Sequence, residues 1–451
     1  MTDMSAGSAA IPRAKKNSIL VASDNMRRRN AAEARFKIYG LAAIAVSMVT
    51  LAFMLVTILN DGLSSFKQAR YSFPVSLTAA VLDPSGDRNR DEMAKVTTVG
   101  YAKVLIAAFK AEIEARGIST EGLSDKDVSD MVSKDAPGEL RATVLANPAL
   151  VGTSIDGSIL AIGRVDGFIK GRVTMETAVR DGNVSPEQLQ LAERLIEAGI
   201  LTSPFNWDFI TNSDASDQRP EAAGLGVALI GSAYMMLMVL ITCVPVGVAA
   251  SIYLEEFAPK NRWTDLIEVN ISNLAAVPSI VFGILGLAVF INFMGLPQSS
   301  SLVGALVISL MTLPTIIIAT RSAIRAVPPS IRDAALGVGA SKMQMVFHHV
   351  LPLAMPGILT GTILGLATAL GETAPLLLIG MVAFVDEYPS ASLGGILDPA
   401  TALPVQVYGW AQRADPAFIE RSNGAIIILL IFLVIMNVAA ILLRRRFERR
   451  W

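Results

Sequence analysis

The sequence predicts an all-α integral membrane protein, with six transmembrane helices and an external, mainly helical inserted domain. Three observations carry that expectation. The 451 residues are 52% hydrophobic and only 17% charged, with a mean hydropathy of +0.51, an apolar share above that of ordinary soluble domains. Six stretches are long and apolar enough to cross a bilayer, near 38–59, 224–253, 266–294, 302–320, 358–385 and 424–443, since about 20 such residues span the hydrocarbon. Between the first two lies a hydrophilic stretch, 61–222, long enough for a folded domain.

Each apolar stretch is expected to be helical, because a backbone in lipid must satisfy its own hydrogen bonds. The first follows Arg13, Lys15, Lys16 and the run Arg27, Arg28, Arg29 at too great a distance for a cleaved leader, and reads as an uncleaved anchor. The third and fifth are interrupted, by Asn270, Asn273 and Pro278 and by Glu372 and Pro375. Orientation follows from basic residues in short segments. The tails 1–37 and 444–451 are basic, and so is 321–357 with Arg321, Arg325, Arg332 and Lys342, whereas 295–301 carries no charge. Both termini and 321–357 are therefore expected in the cytoplasm, with 61–222 outside.

Within 61–222, "DEMAKVTTVGYAKVLIAAFKAEIEARG" has helical apolar spacing and stops at Gly117. "SPEQLQLAERLIEAG" opens with Ser185 as N-cap and Pro186 as first helical residue, and stops at Gly199. The polar stretch 202–222 links this domain to the second span. The whole stretch 61–222 contains no nucleophile elbow, phosphate loop or metal-ligand spacing, so a packing or docking role is expected for it rather than a catalytic one. One cysteine, Cys243, excludes an internal disulfide, and the adjacent His348 and His349 lack the companions a metal site or triad needs. A net charge of −1 gives no reason to expect nucleic acid.

The segment "VPPSIRDAALGVGASKMQMVFHHVLPLAMPGIL", 327–359, carries the densest local signal. Ser330 and Asp333 have capping-box spacing, Gly337 and Gly339 stop that helix, and Ser341 with Gln344 opens a second one expected to end before Pro352. The product is a helix–turn–helix at the inner membrane surface, with Ala334 and Ala335 small enough for another surface to approach.

"ALGETAPLLLIG", 369–380, places Glu372 inside an apolar run, where a carboxylate costs about 2.5–3.5 kcal/mol on insertion scales. Three readings stand: a contact to substrate, a structural or gating pair with a cation (Arg321 being the nearest candidate), or packing. Gly371 is expected to permit close helix approach, and Pro375 to free the Gly371 carbonyl. Thr373 and Thr368 offer hydroxyls, and Pro278 with Ser279 is expected to break the third span.

The pattern Asp-Ala-Ala-x3-Gly-x9-His-x-Leu-Pro across 333–352 closely resembles the "EAA" loop of binding-protein-dependent ABC importer permeases, which docks into the ATPase subunit. "NLAAVPSIVFGILGL" at 273–287, "LMTLPTIIIATRSAIRAVPPSIRDAALGVGAS" at 310–341 and "LGETAPLLLIG" at 370–380 resemble, within that family, the phosphate-specific permeases of the PstA type. The likeness covers about 223–443, and the external insertion resembles one carried by a subset of that family. Three positions depart from the pattern: Asp333 stands for the usual Glu, His349 for an apolar residue, and Thr368 where an arginine is frequent.

The resemblance implies a type I ABC importer permease core of five helices over 223–443, in a bacterial inner membrane. It implies pairing with a second homologous permease, an ATPase dimer and a periplasmic phosphate-binding protein. Ser330, Asp333, Ala334, Ala335 and Gly339 would couple to the ATPase. Glu372, Thr373, Thr368, Arg321 and Ser279 would line the substrate path, with helix breaks at Gly371, Pro375 and Pro278. The chain would not be an enzyme and would bind no cofactor, ATP and Mg lying on the ATPase. Rival readings are a permease for another solute, a membrane sensor using the external domain, and a membrane-embedded enzyme.

Overall fold

The computed structural model describes residues 24–382 and 384–447, so Arg13, Lys15 and Lys16 of the first tail and the last four residues lie outside it. The fold is mostly helical. Among the described residues, five helices are long and apolar enough to cross a membrane: Met26–Phe66, Gly226–Phe257, Ser301–Arg325, Lys342–Gly371 and Pro416–Leu442. A sixth span exists as a pair, Arg262–Ala275 and Ser279–Phe293, bent by 102° at its break. The chain divides into two compact units between Thr57 and Ile58.

In the first unit the helix exposes its apolar residues, Leu41 and Phe53 among them. Its hydroxyls do not stay unsatisfied: Ser47, Thr50 and Thr57 donate to the carbonyls of Ala43, Val46 and Phe53, four residues back. Such back-bonding lets small polar side chains enter an apolar span.

The second unit holds residues 61–222 together with the remaining spans. The 61–222 part contains a sheet absent from the sequence reading, of strand order β2-β1-β3, with β1 at Arg70–Ser76, β2 at Ser154–Leu160 and β3 at Leu201–Thr202. Tyr71, Phe73 and Val75 alternate into the core and pack on helix Thr98–Ala115, with the Tyr71 and Phe109 rings 4.7 Å apart. Pro74 obscured this strand, since proline is excluded from strand interiors. It is tolerated because β3 pairs only with Arg70 and Tyr71, leaving β1 an edge at Pro74. The long helix expected from Asp91 to Gly117 is two helices, Arg90–Met93 and Thr98–Ala115, closed by Gly117 at φ +63°. Helix Pro186–Glu197 forms as expected, with the Ser185–Gln188 capping box and Gly199 at φ +71°.

The stretch 202–222 is more than a linker. Asn206, Asp214 and Glu221 are buried in it. Asp214 accepts from the Trp410 indole at 2.8 Å and pairs with Arg413 at 2.7 Å. Glu221 accepts from the Ser133 hydroxyl at 2.6 Å and the Gly163 amide at 3.1 Å. Burial pushes the Glu221 carboxyl above its ordinary range, against the pull of the Ser133 bond. A buried charge network also ties the 61–222 part to the last helix. Lys170 bridges Asp166 at 2.7 Å and Glu420 at 2.9 Å, while Arg421 donates to the carbonyls of Ala223 and Glu221, both at 2.7 Å, and to the Gln68 amide oxygen at 2.8 Å.

Helix Ser301–Arg325 is the centre of the membrane part. Gly357, Gly361 and Gly365, on one face of helix Leu351–Gly371, let that helix approach it closely; a methyl on Gly357 would lie 2.7 Å from Ala323 Cβ, and one on Gly361 would overlap Ala319 Cβ. Small residues four apart are a common device for such contacts in lipid.

The fifth span differs from expectation in register. It runs unbroken from Lys342 through Pro352 to Gly371 and does not extend to 385. A π-turn at Val346–Val350 precedes Pro352 and shifts the bonding register just where proline lacks its donor.

Candidate functional site

The two interrupted spans meet. Span five ends at Gly371, Glu372 is extended (φ −80°, ψ 124°), and a short helix restarts at Ala374–Leu378. Span three restarts at Ser279 after Pro278. The restarted pieces lie against each other: a methyl on Gly283 would sit 2.8 Å from Pro375 Cα, and one on Gly286 would sit 3.4 Å from Ile379. Ser279 is one turn before Gly283, and Glu372 three residues before Pro375. Two breaks far apart in sequence thus form one locus, the arrangement discontinuous helices adopt around transported solutes.

Glu372 and Thr373 are half-buried there. No described residue makes a hydrogen bond or ion pair to the Glu372 carboxylate, and Thr373 makes no side-chain cap bond. Arg321 is not its partner. Its guanidinium reaches Glu255 at 3.3 Å and Glu268 at 2.6 Å, with Arg325 on Glu255 at 2.7 Å. These bonds lie at the far end of helix Ser301–Arg325 and tie it to the end of span two through Glu255 and to the first half of span three through Glu268. Pro375 is the second residue of a new helix, where no donor is missed, so it does not free the Gly371 carbonyl as expected. Nor does Gly371 mediate close approach, since no atom lies within 4 Å of where its Cβ would be. Thr368 is exposed and back-bonded to the Leu364 carbonyl at 3.0 Å.

The 327–359 segment folds as two helices about Gly339, which sits at φ +89°. Helix Pro329–Gly337 starts earlier than expected: Pro328 is its N-cap, and Ser330 lies inside the first turn with no capping bond to Asp333. Pro329, with φ already fixed for the first helical position, starts the helix before the hydroxyl could cap it. The Ser341–Gln344 capping box is present. Of the paired alanines, Ala334 faces outward beside Asp333, while Ala335 is buried among Met345, Val346 and Val350.

Two features were missed. Leu336, Val338, Met343 and Phe347 are exposed around the turn, Val338 at 85%, a patch the sequence hides because its members straddle the glycine. Arg332 clamps the segment, bonding Glu256 at 2.8 Å and the carbonyls of Val327 (2.7 Å) and Ile324 (2.9 Å). Its signal was a basic residue just past a helix C-terminus, but its acidic partner is distant in sequence. Arg332→Ala leaves the Glu256 carboxylate buried and unpaired, so amide exchange across 329–350 is expected to accelerate by about a hundredfold, for a cost of about 3 kcal/mol. Unchanged exchange would remove the clamp role.

Among the described residues no group of three or more His, Cys, Asp or Glu side chains is placed to hold a metal.

Residues 243–451 match the family described as binding-protein-dependent transport system inner membrane component, and 23–179 match a domain of unknown function, DUF3333. The chain is 32% identical over 248 residues to a protein of Bacillus subtilis (strain 168) named "Probable ABC transporter permease protein YqgI", covering 53% of this chain and 83% of that protein. It is 31% identical over 228 residues to "Phosphate transport system permease protein PstA" of Xylella fastidiosa (strain Temecula1), covering 50% of this chain and 77% of that one. Among solved structures, a chain of the MetNI methionine ABC transporter in inward-facing form is 17% identical with a TM-score of 0.38, over 49% of this chain and 97% of that one. The sequence relationship over most of the relatives' length, with the family match across the last four spans, settles the assignment: the chain belongs to the binding-protein-dependent transport system inner membrane components, the multi-pass permease subunits of ABC importers.

Proposed function

We propose that the chain is a membrane-spanning subunit of an ATP-driven importer of inorganic phosphate. The observation that carries the reading is the half-buried, unpaired Glu372 where the two broken spans meet, and relatives named as phosphate transport permeases support it. A carboxylate accepts hydrogen bonds and donates none. Mono- and dihydrogen phosphate carry P–OH donors, whereas fully ionised sulfate carries none, so an unpaired acceptor penalises sulfate. Positive charge for the anion comes from elsewhere, since Arg321 is already engaged by two glutamates. Thr373 and Ser279 supply hydroxyls to the same locus.

A second permease completes the path, a phosphate-binding protein delivers the solute, and an ATPase pair carries ATP and Mg, this chain binding no cofactor. The ATPase docks on the exposed apolar turn at Leu336, Val338, Met343 and Phe347, beside Asp333 and Ala334. Both termini lie in the cytoplasm and 61–222 outside.

The test is labelled phosphate uptake in cells lacking the chain, with and without its restoration, with sulfate and molybdate as competitors. Restored uptake that resists both competitors is the expected result. Phosphate uptake independent of the chain, with another anion's uptake dependent on it, would retain the importer and overturn the substrate. Glu372→Gln is expected to lower uptake about tenfold, the loss of one charge-assisted hydrogen bond, with insertion unchanged; full activity would reduce Glu372 to packing. Gly339→Val forces a β-branched residue into positive φ, a strain of about 1–3 kcal/mol, and is expected to uncouple ATP hydrolysis from uptake while the spans remain folded. Wild-type coupling in that variant would place the docking site elsewhere.

A further inference from the structure

A row of aromatic rings leaves the core where the last helix turns apolar. Trp410 and Phe209 are fully buried, with ring centroids 6.1 Å apart. Phe209 meets Phe66 at 5.4 Å, Phe66 stacks on Phe205 at 6.1 Å, and Phe205 meets Trp207 at 4.8 Å. The row ends in the open: Phe205 is 50% exposed and Trp207 66%. Its depth is fixed on the helix side, because a methyl on Gly424 would lie 2.9 Å from Phe209 Cζ. From Ala425 to Met436 the last helix carries no polar residue, so Gly424 marks the edge of the hydrocarbon.

The exposed rings are held firmly. The Asn206 amide hydrogen-bonds to the Phe66 carbonyl at 2.8 Å, its side chain to the Ser65 carbonyl at 3.2 Å, and Gln68 bonds to the Pro204 carbonyl at 3.1 Å. Next to Trp207, Asp208 pairs with Arg70, which also holds Glu139 at 3.3 Å. The patch therefore passes from apolar helix through aromatic rings to paired charges, and no described residue accepts from the Trp207 indole. An amphipathic ring with a free N–H, level with the end of a span, suits the headgroup layer of a bilayer.

We propose that Phe205 and Trp207 insert into the lipid headgroup layer and seat the 63–222 region on the membrane surface. The partner is a lipid surface, recognised by ring depth and the indole N–H.

The test uses the assembled complex in liposomes whose lipids carry bromine either near the headgroup end of the acyl chains or near their termini. The fluorescence difference between the wild-type chain and Trp207→Phe isolates that indole among the four tryptophans. The expected result is quenching by about twofold or more from the shallow bromines, much less from the deep ones, and little from aqueous iodide, as an interfacial ring requires. Quenching by iodide alone would place the ring in water. Quenching by no agent would place it under a partner protein. Either outcome overturns the proposal. A Phe205→Trp/Trp207→Phe variant moves the reporter one ring inward, must show the same shallow-lipid quenching, and keeps the test decisive should one variant express poorly.

Discussion

Arg421→Leu is expected to prevent stable accumulation of the chain. Arg421 is only 4% exposed and donates three hydrogen bonds, to the carbonyls of Ala223 and Glu221 and to Gln68. Its guanidinium also lies 5.6 Å from the centre of the Phe209 ring. Leucine would strand those acceptors and remove a positive charge from beside the buried Asp166 and Glu420. Breaking a buried pair from one side costs about 3–5 kcal/mol, a large part of the roughly 5–15 kcal/mol that holds a domain together. Arg421→Lys keeps the charge but cannot fork to three acceptors, so an intermediate loss is expected. Thermal unfolding of the purified chain in detergent checks both. A leucine variant that accumulates and melts like wild type would mean that the junction is held by packing alone.

Gly361→Leu is the second large effect. The glycine face of helix Leu351–Gly371 lies so close to helix Ser301–Arg325 that even a methyl at 361 meets Ala319. A leucine must push the helices apart, and overpacking of this kind costs about 1–3 kcal/mol or more. Transport should fall below detection while the spans still insert, because insertion depends on hydropathy rather than on fit. A compensated pair separates crowding from other causes. Gly361→Ala is expected to impair uptake, and adding Ala319→Gly to restore most of it, as coupled neighbours behave in a double-mutant cycle. Failure of the second substitution to rescue the first would remove this contact as the cause.

Sequence and structure agree where the determinants are local. Apolar runs marked the spans, Pro278 and Glu372 marked the breaks, and the Ser341–Gln344 box and Gly339 marked the turn between two helices. They part where partners are distant. Arg321 looked available to Glu372 because Glu255 and Glu268, more than fifty residues before it, gave no local sign of reaching it. Strand β1 was hidden by Pro74, whose placement makes sense only once β3 is seen to stop short. Ser330 had capping spacing, but Pro329 had already started the helix. The meeting of the two breaks through Gly283 and Pro375 was beyond any single-segment reading, since each glycine matters only through what lies opposite.

The unbroken helix from Lys342 to Gly371 has a mechanical consequence. Its thirty residues make a rod about 45 Å long at 1.5 Å per residue, with the turn at Gly339 at one end and Glu372 at the other. With the ATPase docked on the turn as proposed, a thrust there arrives at the carboxylate as displacement of a lever whose compliant points are the π-turn at Val346–Val350 and the internal Pro356. Opening and closing of the path then need no relay of side-chain rearrangements, and stiffness rather than affinity becomes the property on which the two ends depend.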